Sequence, residues 1–261
     1  MSRELRRFVE KHLLLGQSSA AISGRIKYHE KHLPSVSKNT IYRYLRSPYG
    51  KIIGLKLKKK KRHQRGAGKK KIGDDRVFIE KRPIIIEKRG RVGDMEGDFI
   101  ASCKSGRGVL LVAVCRKFRV VFLELIYDVS VDEVHQAFLR IKERFPEMKS
   151  LTLDNDILFR MHKSLSKLLE IKIYFCHPYH SWEKGSVENA NKFIRKYIPK
   201  GSDFSNYSRN EIDLVEKKCN ARFMECLGYA MPSEALDEYR QKQKNSRRAV
   251  DEMINIDNNL K

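Results

Sequence analysis

Asp98, Asp154 and Glu188 are the residues of this chain whose types and spacing best support chemistry. In the run GDMEGDF, a strand period of two puts Asp94, Glu96 and Asp98 on one face and Met95, Gly97 and Phe99 on the other. In KSLTLDN, Leu151 and Leu153 face one side while Thr152, Asp154 and Asp156 face the other. If the two strands are neighbours, Asp98 and Asp154 come together. Paired carboxylates repel strongly in a low dielectric and need cations beside them. Glu188 adds a third acid at the start of a helix, with Lys192 and Arg195 on its stripe. Three carboxylates holding two Mg²⁺ or Mn²⁺ ions would clamp a phosphodiester, one ion activating the attacking oxygen and the other stabilising the leaving oxygen. A plainer alternative stands beside this. Asp98 and Asp154 are then strand-end polar residues meeting solvent or Lys, and Glu188 forms an ordinary i,i+4 helix pair with Lys192.

The elements that must position these acids are legible from periodicity. VGDMEGDFIAS, GVLLVAVCRKF and RVVFLELIYD are three successive runs of strand character joined by short turns. SVDEVHQAFLRIKERF places Val134, Phe138, Ile141 and Phe145 at helical spacing, and KSLTLDN is a fourth strand. MHKSLSKLLEI reads as helix, IKIYFC as a fifth strand, and the helix carrying Glu188 follows, with Val187, Ala190, Ile194 and Tyr197 or Ile198 toward a core. Three strands in meander, then helix, strand, helix, strand, helix, make a mixed-sheet α/β domain. The preceding segment, RVFIEKRPIIIEKRGR, reads as an arm or short strand interrupted by Pro83.

Before this domain, ELRRFVEKHLLL ends at Gly16, AAISGRIKYHEKH follows a capping Ser18 or Ser19, and Ser37 caps KNTIYRYLRS. The pattern is a helix-turn-helix with Ile41, Tyr44 and Leu45 inward and Lys38, Asn39, Thr40 and Arg43 outward. That outward set suits major-groove edges and phosphates; the alternative is a three-helix module with an ordinary polar face. Residues 56–71 then carry ten Lys or Arg and no acid, including Lys59, Lys60, Lys61 and Arg62. So dense a run cannot pack on itself, but it binds a polyanion by releasing counterions.

The whole chain has 261 residues and a net charge of +23, which points to nucleic acid first and an anionic membrane surface second. No apolar run approaches membrane-spanning length, and MSRELRRF lacks an apolar signal region, so a cytoplasmic protein is expected. Five cysteines without C-x-x-C spacing read as reduced, and His177 and His180 have no Cys pair to complete a zinc site.

MEGDFI around Asp98, LTLDN around Asp154, and YFCHPYHSWEKGSVENANKFIRKYIPKGSDF around Glu188 resemble the three catalytic blocks of insertion-sequence transposases of the IS-thirty family. Thirty-three residues separate Asp154 from Glu188, as in that family's DDE triad. KRPIIIEKRGRVGDMEGD resembles the entry into its core, CLGYAMPSEALDEY its closing segment, and ISGRIKYHEKHLPSVSKNTIYRYL its second helix-turn-helix.

The resemblance implies a ribonuclease-H-like, retroviral-integrase-like core in which Asp98, Asp154 and Glu188 bind two Mg²⁺ ions. It also implies hydrolysis at transposon ends followed by strand transfer, without a nucleotide cofactor. Double-stranded DNA is the implied partner, with a homo-oligomer assembled on it in a bacterial, nucleoid-associated setting. Lys192 and Arg195 are expected on phosphates of the bound end, while Trp182 and Tyr179 pack or stack on a base.

This chain departs from the family at Met95, where Trp is usual, and after Asn155, where Gly is usual and Asp156 stands. It starts within what resembles the family's spacer helix, so the first helix-turn-helix is expected to be missing. The expected organisation is a helix-turn-helix domain over 1–55, a basic linker and arm over 56–91, a core with C-terminal helices over 92–240, and a polar tail over 241–261. Two further functions stay open: a copy that binds DNA without chemistry, and a metal-dependent nuclease on the same sheet that cuts without joining.

Overall fold

The computed structural model describes residues 1–57, 76–178 and 180–259. They form two compact units, one of Met1–Gln64 with Ala221–Lys261 and one of Arg65–Asn220.

In the first unit, α1 (Arg3–Leu14), α2 (Ser19–Tyr28) and α3 (Lys38–Arg46) each begin at a serine whose hydroxyl accepts a first-turn N–H: Ser2 from Leu5, Ser18 from Ala21 and Ser37 from Thr40. Gly16 adopts φ 82° just beyond α1, a conformation that other residues take only at a cost. Leu5, Val9, Leu13, Ile22, Ile26, Leu33, Val36 and Ile41 form the core. A further helix, α4 (Lys51–Leu57), runs into the start of the basic stretch.

Residues after 220 return to this unit, so the compact units divide elsewhere than the composition suggests. Gln17 donates from Nε2 to the Ala221 carbonyl at 2.8 Å and accepts from the Phe223 N–H at 3.1 Å. Arg25 grips Glu234 with two bonds of 2.6 and 2.8 Å. The stretch expected as a polar tail belongs to a long helix, α10 (Pro232–Asn259).

The second unit is built on a sheet of β1 (Asp94–Ala101), β2 (Val109–Cys115), β3 (Val121–Ile126), β4 (Ser150–Leu153) and β5 (Lys172–Phe175), in the order β3-β2-β1-β4-β5. β1, β2 and β3 pair antiparallel; β4 is parallel to β1, and β5 to β4. All five strands fall where the sequence places them, in the expected mixed five-stranded sheet. β2 is buried at every position, which is why it reads as an unbroken apolar run. The flanking helices are α5 (Ile84–Glu87), α6 (Val131–Arg144), α7 (His162–Leu169), α8 (Gly185–Ile194) and α9 (Arg209–Asn220).

Val187, Ala190, Phe193 and Ile194 of α8 pack with Leu110, Val112, Val114 and Leu123 of the sheet. On the opposite face, a Cβ at Gly97 would lie 2.7 Å from Leu153 Cδ2 and 3.6 Å from Phe138 Cζ, so a side chain here would have to displace Leu153. The segment expected as an arm contributes one bridge, Phe78 to Phe175, then a 3-10 turn (Ile79–Lys81) and, after Pro83, α5. Among the described residues no helix is long and apolar enough to cross a membrane.

Candidate active site

The three acids that share one face of β1 have different surroundings. Asp94 is fully buried, accepting from the Ser150 hydroxyl at 2.6 Å and from Arg91 Nε at 3.0 Å. Glu96 is also fully buried. It accepts from Arg116 Nη1 at 2.6 Å and, through Oε2, from the N–H groups of Ser186 and Val187 at 2.9 and 3.0 Å. These donors are the first free N–H groups of α8, where a carboxylate is favoured by the helix dipole. Only Asp98, nearer the end of β1, is partly open, with 21% of its side chain exposed.

Asp154 directly follows β4, and the parallel register of Glu96 with Thr152 carries it toward Asp98. Its Oδ1 accepts the Asp156 N–H at 3.1 Å, while 42% of its side chain remains exposed. Surrounding protein pushes the Asp154 carboxyl above the ordinary carboxylate range; the Asp98 charge adds to this and Lys184 opposes it. The departure at Asp156 serves the turn, since its Oδ1 accepts the Leu158 N–H at 3.0 Å.

Between Asp98 and Asp154 stands a residue the sequence does not single out. Lys184, with 6% of its side chain exposed, places Nζ 3.0 Å from Asp98 Oδ1, 3.6 Å from Asp154 Oδ2 and 3.1 Å from the Gly97 carbonyl. Burial works to lower its pKa, but the two carboxylates outweigh burial and hold it above the ordinary lysine value. Asn191 donates from Nδ2 to Asp98 Oδ2 at 2.7 Å, while its buried Oδ1 has no partner. Lys184 and Asn191 lie four residues before and three after Glu188. Their shared helical face was the available signal.

Glu188 is half-buried in the first turn of α8 and makes no hydrogen bond or ion pair with Asp98, Asp154 or Lys184. Lys184 thus bridges Asp98 and Asp154, and Glu188 stands one helical turn beyond that lysine in the sequence of α8. Among the described residues no group of three or more His, Cys, Asp or Glu is arranged to hold a metal ion. The carboxylate pair is nonetheless suited to a hard cation. Two carboxylate oxygens and a carbonyl already surround one positive charge, and an unbonded amide oxygen lies on the residue bound to Asp98.

The other expected residues fall in several places. No ion pair joins Glu188 to Lys192, which is exposed; Arg195 donates to the Pro199 carbonyl at 3.2 Å, and burial lowers its pKa. On α3, Lys38, Asn39 and Arg43 are exposed and Thr40 half-buried, while Ile41 is fully buried. Lys59, Lys60, Lys61, Arg62 and Tyr179 lie outside the described residues, as does the Trp182 side chain. His177 stacks on Phe78 and sits between Glu183, 2.8 Å from Nδ1, and Glu80. These bonds, Glu183 first, raise its pKa.

No family model matches the chain. It is 35% identical over 238 residues to the transposase for insertion sequence element IS4351 of Bacteroides fragilis, covering 88% of this chain and 72% of that protein. It is 32% identical to the transposase for insertion sequence element IS1086 of Cupriavidus metallidurans, covering 76% and 60%. It is 30% identical to transposase InsI for insertion sequence element IS30A of Escherichia coli K12, covering 89% and 64%. The chain thus spans between 60% and 72% of the length of these relatives. Among solved structures, the catalytic core domain of BIV integrase aligns at TM-score 0.44 and 18% identity, over 58% of this chain and 98% of that one.

Proposed function

The chain belongs to the IS-thirty family of insertion-sequence transposases, and from that membership we propose that it cuts DNA at transposon ends and joins the freed end to a second site. The observation that carries this reading is the pairing of Asp98 and Asp154 around one cation at adjacent parallel strands. Asp98 and Asp154 would hold Mg²⁺ or Mn²⁺ there, with Glu188 as the third carboxylate. Bound at these acids, two such ions supply a nucleophilic oxygen and neutralise the leaving one.

The chain's own residues position and neutralise. Glu96 fixes the start of α8 and so the place of Glu188. Asn191 orients Asp98. Lys192 and Arg195 lie one and two turns beyond Glu188 for phosphate contact, and Lys38, Asn39, Thr40 and Arg43 present an edge of α3 to duplex DNA. Each reaction step exchanges one phosphodiester oxygen for another, so no nucleotide cofactor is needed. A homo-oligomer handling two ends is part of this proposal.

The test is Mg²⁺-dependent cleavage and joining of a duplex carrying the element's own terminal sequence, with Asp154→Asn as control. Joined product that disappears in the control supports a transposase. Cleavage without joining indicates a nuclease, and binding without either indicates a DNA-binding copy.

A further inference from the structure

Lys184 is the N-cap residue of α8, and its ammonium reaches the position between the two carboxylates that a divalent ion needs. Its three N–H donors face three acceptors: Asp98 Oδ1, Asp154 Oδ2 and the Gly97 carbonyl. A divalent cation ligated by the same carboxylate oxygens would sit within van der Waals range of that ammonium. Like charges so close, with the lysine side chain itself only 6% exposed, repel too strongly for both to stay. The lysine stem is a flexible four-carbon chain and can carry its charge outward, whereas the two carboxylates are held short, one within β1 and one directly after β4.

We propose that Lys184 is a resident counter-cation of the Asp98 and Asp154 pair, which divalent metal must displace from the site. The proposal rests on the metal reading above. Before metal arrives, Lys184 keeps the two carboxylates together. On metal binding its ammonium leaves, the way opens for Glu188, four residues on along the helix, and the freed charge stands beside the reacting strand for a phosphate. Lys184 thereby weakens metal affinity and ties metal loading to a rearrangement at the start of α8.

Mn²⁺ binding to the full chain, measured by titration calorimetry without DNA, tests this. Lys184→Met and Lys184→Gln remove the charge and are expected to tighten Mn²⁺ binding about tenfold or more, as loss of one close charge contact implies. Lys184→Arg keeps the charge and is expected to show no tightening. Melting temperature gives a second readout that does not depend on affinity fitting: both neutral variants melt below wild type without metal and gain more from Mn²⁺ than wild type does.

Neutral variants that bind no tighter, or an arginine variant that tightens equally, overturn the proposal. Asp154→Asn separates this from failure of the metal reading. If it leaves wild-type Mn²⁺ binding unchanged, both fall. If it abolishes binding while Lys184→Gln binds as wild type does, the Lys184 proposal alone falls.

Discussion

The Glu96 carboxylate on β1 accepts the backbone N–H of Val187 on α8 at 3.0 Å, one residue before Glu188. The same carboxylate pairs with Arg116, whose side chain is 4% exposed. Glu96→Ala therefore removes a helix cap and strands a buried guanidinium together. A loss of about 3–5 kcal/mol is expected, the cost of breaking a buried pair from one side. Glu96→Gln keeps the shape and is expected to cost less. Urea denaturation without metal measures both. In the glutamine variant cleavage should fall more than duplex binding, since the error is in where α8 starts; equal loss of both would place Glu96 outside the site's support.

Asn191 holds Asp98 by one bond and leaves its own buried Oδ1 unpaired. Replacing it by Ala removes an orientating donor and an orphaned acceptor at once, so stability should change by under about 1 kcal/mol. Cleavage is expected to fall roughly tenfold to a hundredfold, with duplex affinity unchanged. Cleavage at the wild-type rate would mean that Asp98 needs no such support.

The contrast between Glu96 and Lys184 shows what the sequence carries and what it does not. β2 is a continuous apolar run because both its faces are covered, and Val187, Ala190 and Ile194 keep strict helical spacing because α8 lies on the sheet. Those are local patterns, and they placed every strand. Asp94, Glu96 and Asp98 share a face by period alone, yet only the tertiary approach of Ser150, Arg116 and α8 decides that the first two are buried and the third is open. For Lys184 the sequence offers only a helical face shared with Glu188; its partners lie on β1 and directly after β4, remote in sequence. The return of residues 221–236 to the first unit likewise depends on Gln17 and Arg25, more than two hundred positions away.

His177 clasps Glu183 and Glu80 beneath the ring of Phe78, joining the segment before the core to the loop before α8. Its pKa is raised above 6.5, Glu183 contributing most and Glu80 next. A histidine raised in the folded state contributes stability fully below its unfolded value and loses it as pH rises through the folded value. Wild type should therefore exceed His177→Gln in urea stability at about pH 5.5, and the gap should close toward about pH 9. A gap that widens with pH would show that the clasp acts without the proton.

Residues 56–71 bring ten cationic side chains. If they meet phosphates, each contact released by deleting the run flattens the slope of log affinity against log salt by about 0.9. The deletion variant should thus bind duplex more weakly at low salt and show a slope lower by several units. An unchanged slope would mean that this run does not contact phosphate.

On α3, Ile41 is fully buried while Lys38, Asn39 and Arg43 face outward from a helix capped by Ser37. A helix held this way offers side chains to a groove without spending its own core, and the outward types separate by chemistry. Asn and Arg can each form two bonds to one base edge, whereas Lys meets phosphate as a point charge. Asn39→Ala or Arg43→Ala should therefore lower affinity for the element's terminal sequence by about 1–3 kcal/mol relative to scrambled duplex. Lys38→Ala should weaken both duplexes alike and reduce the salt slope by about one. Competition binding with the two duplexes at fixed salt reads the difference. Equal losses on both duplexes for Asn39→Ala and Arg43→Ala would make α3 an electrostatic contact and move sequence recognition to another part of the protein.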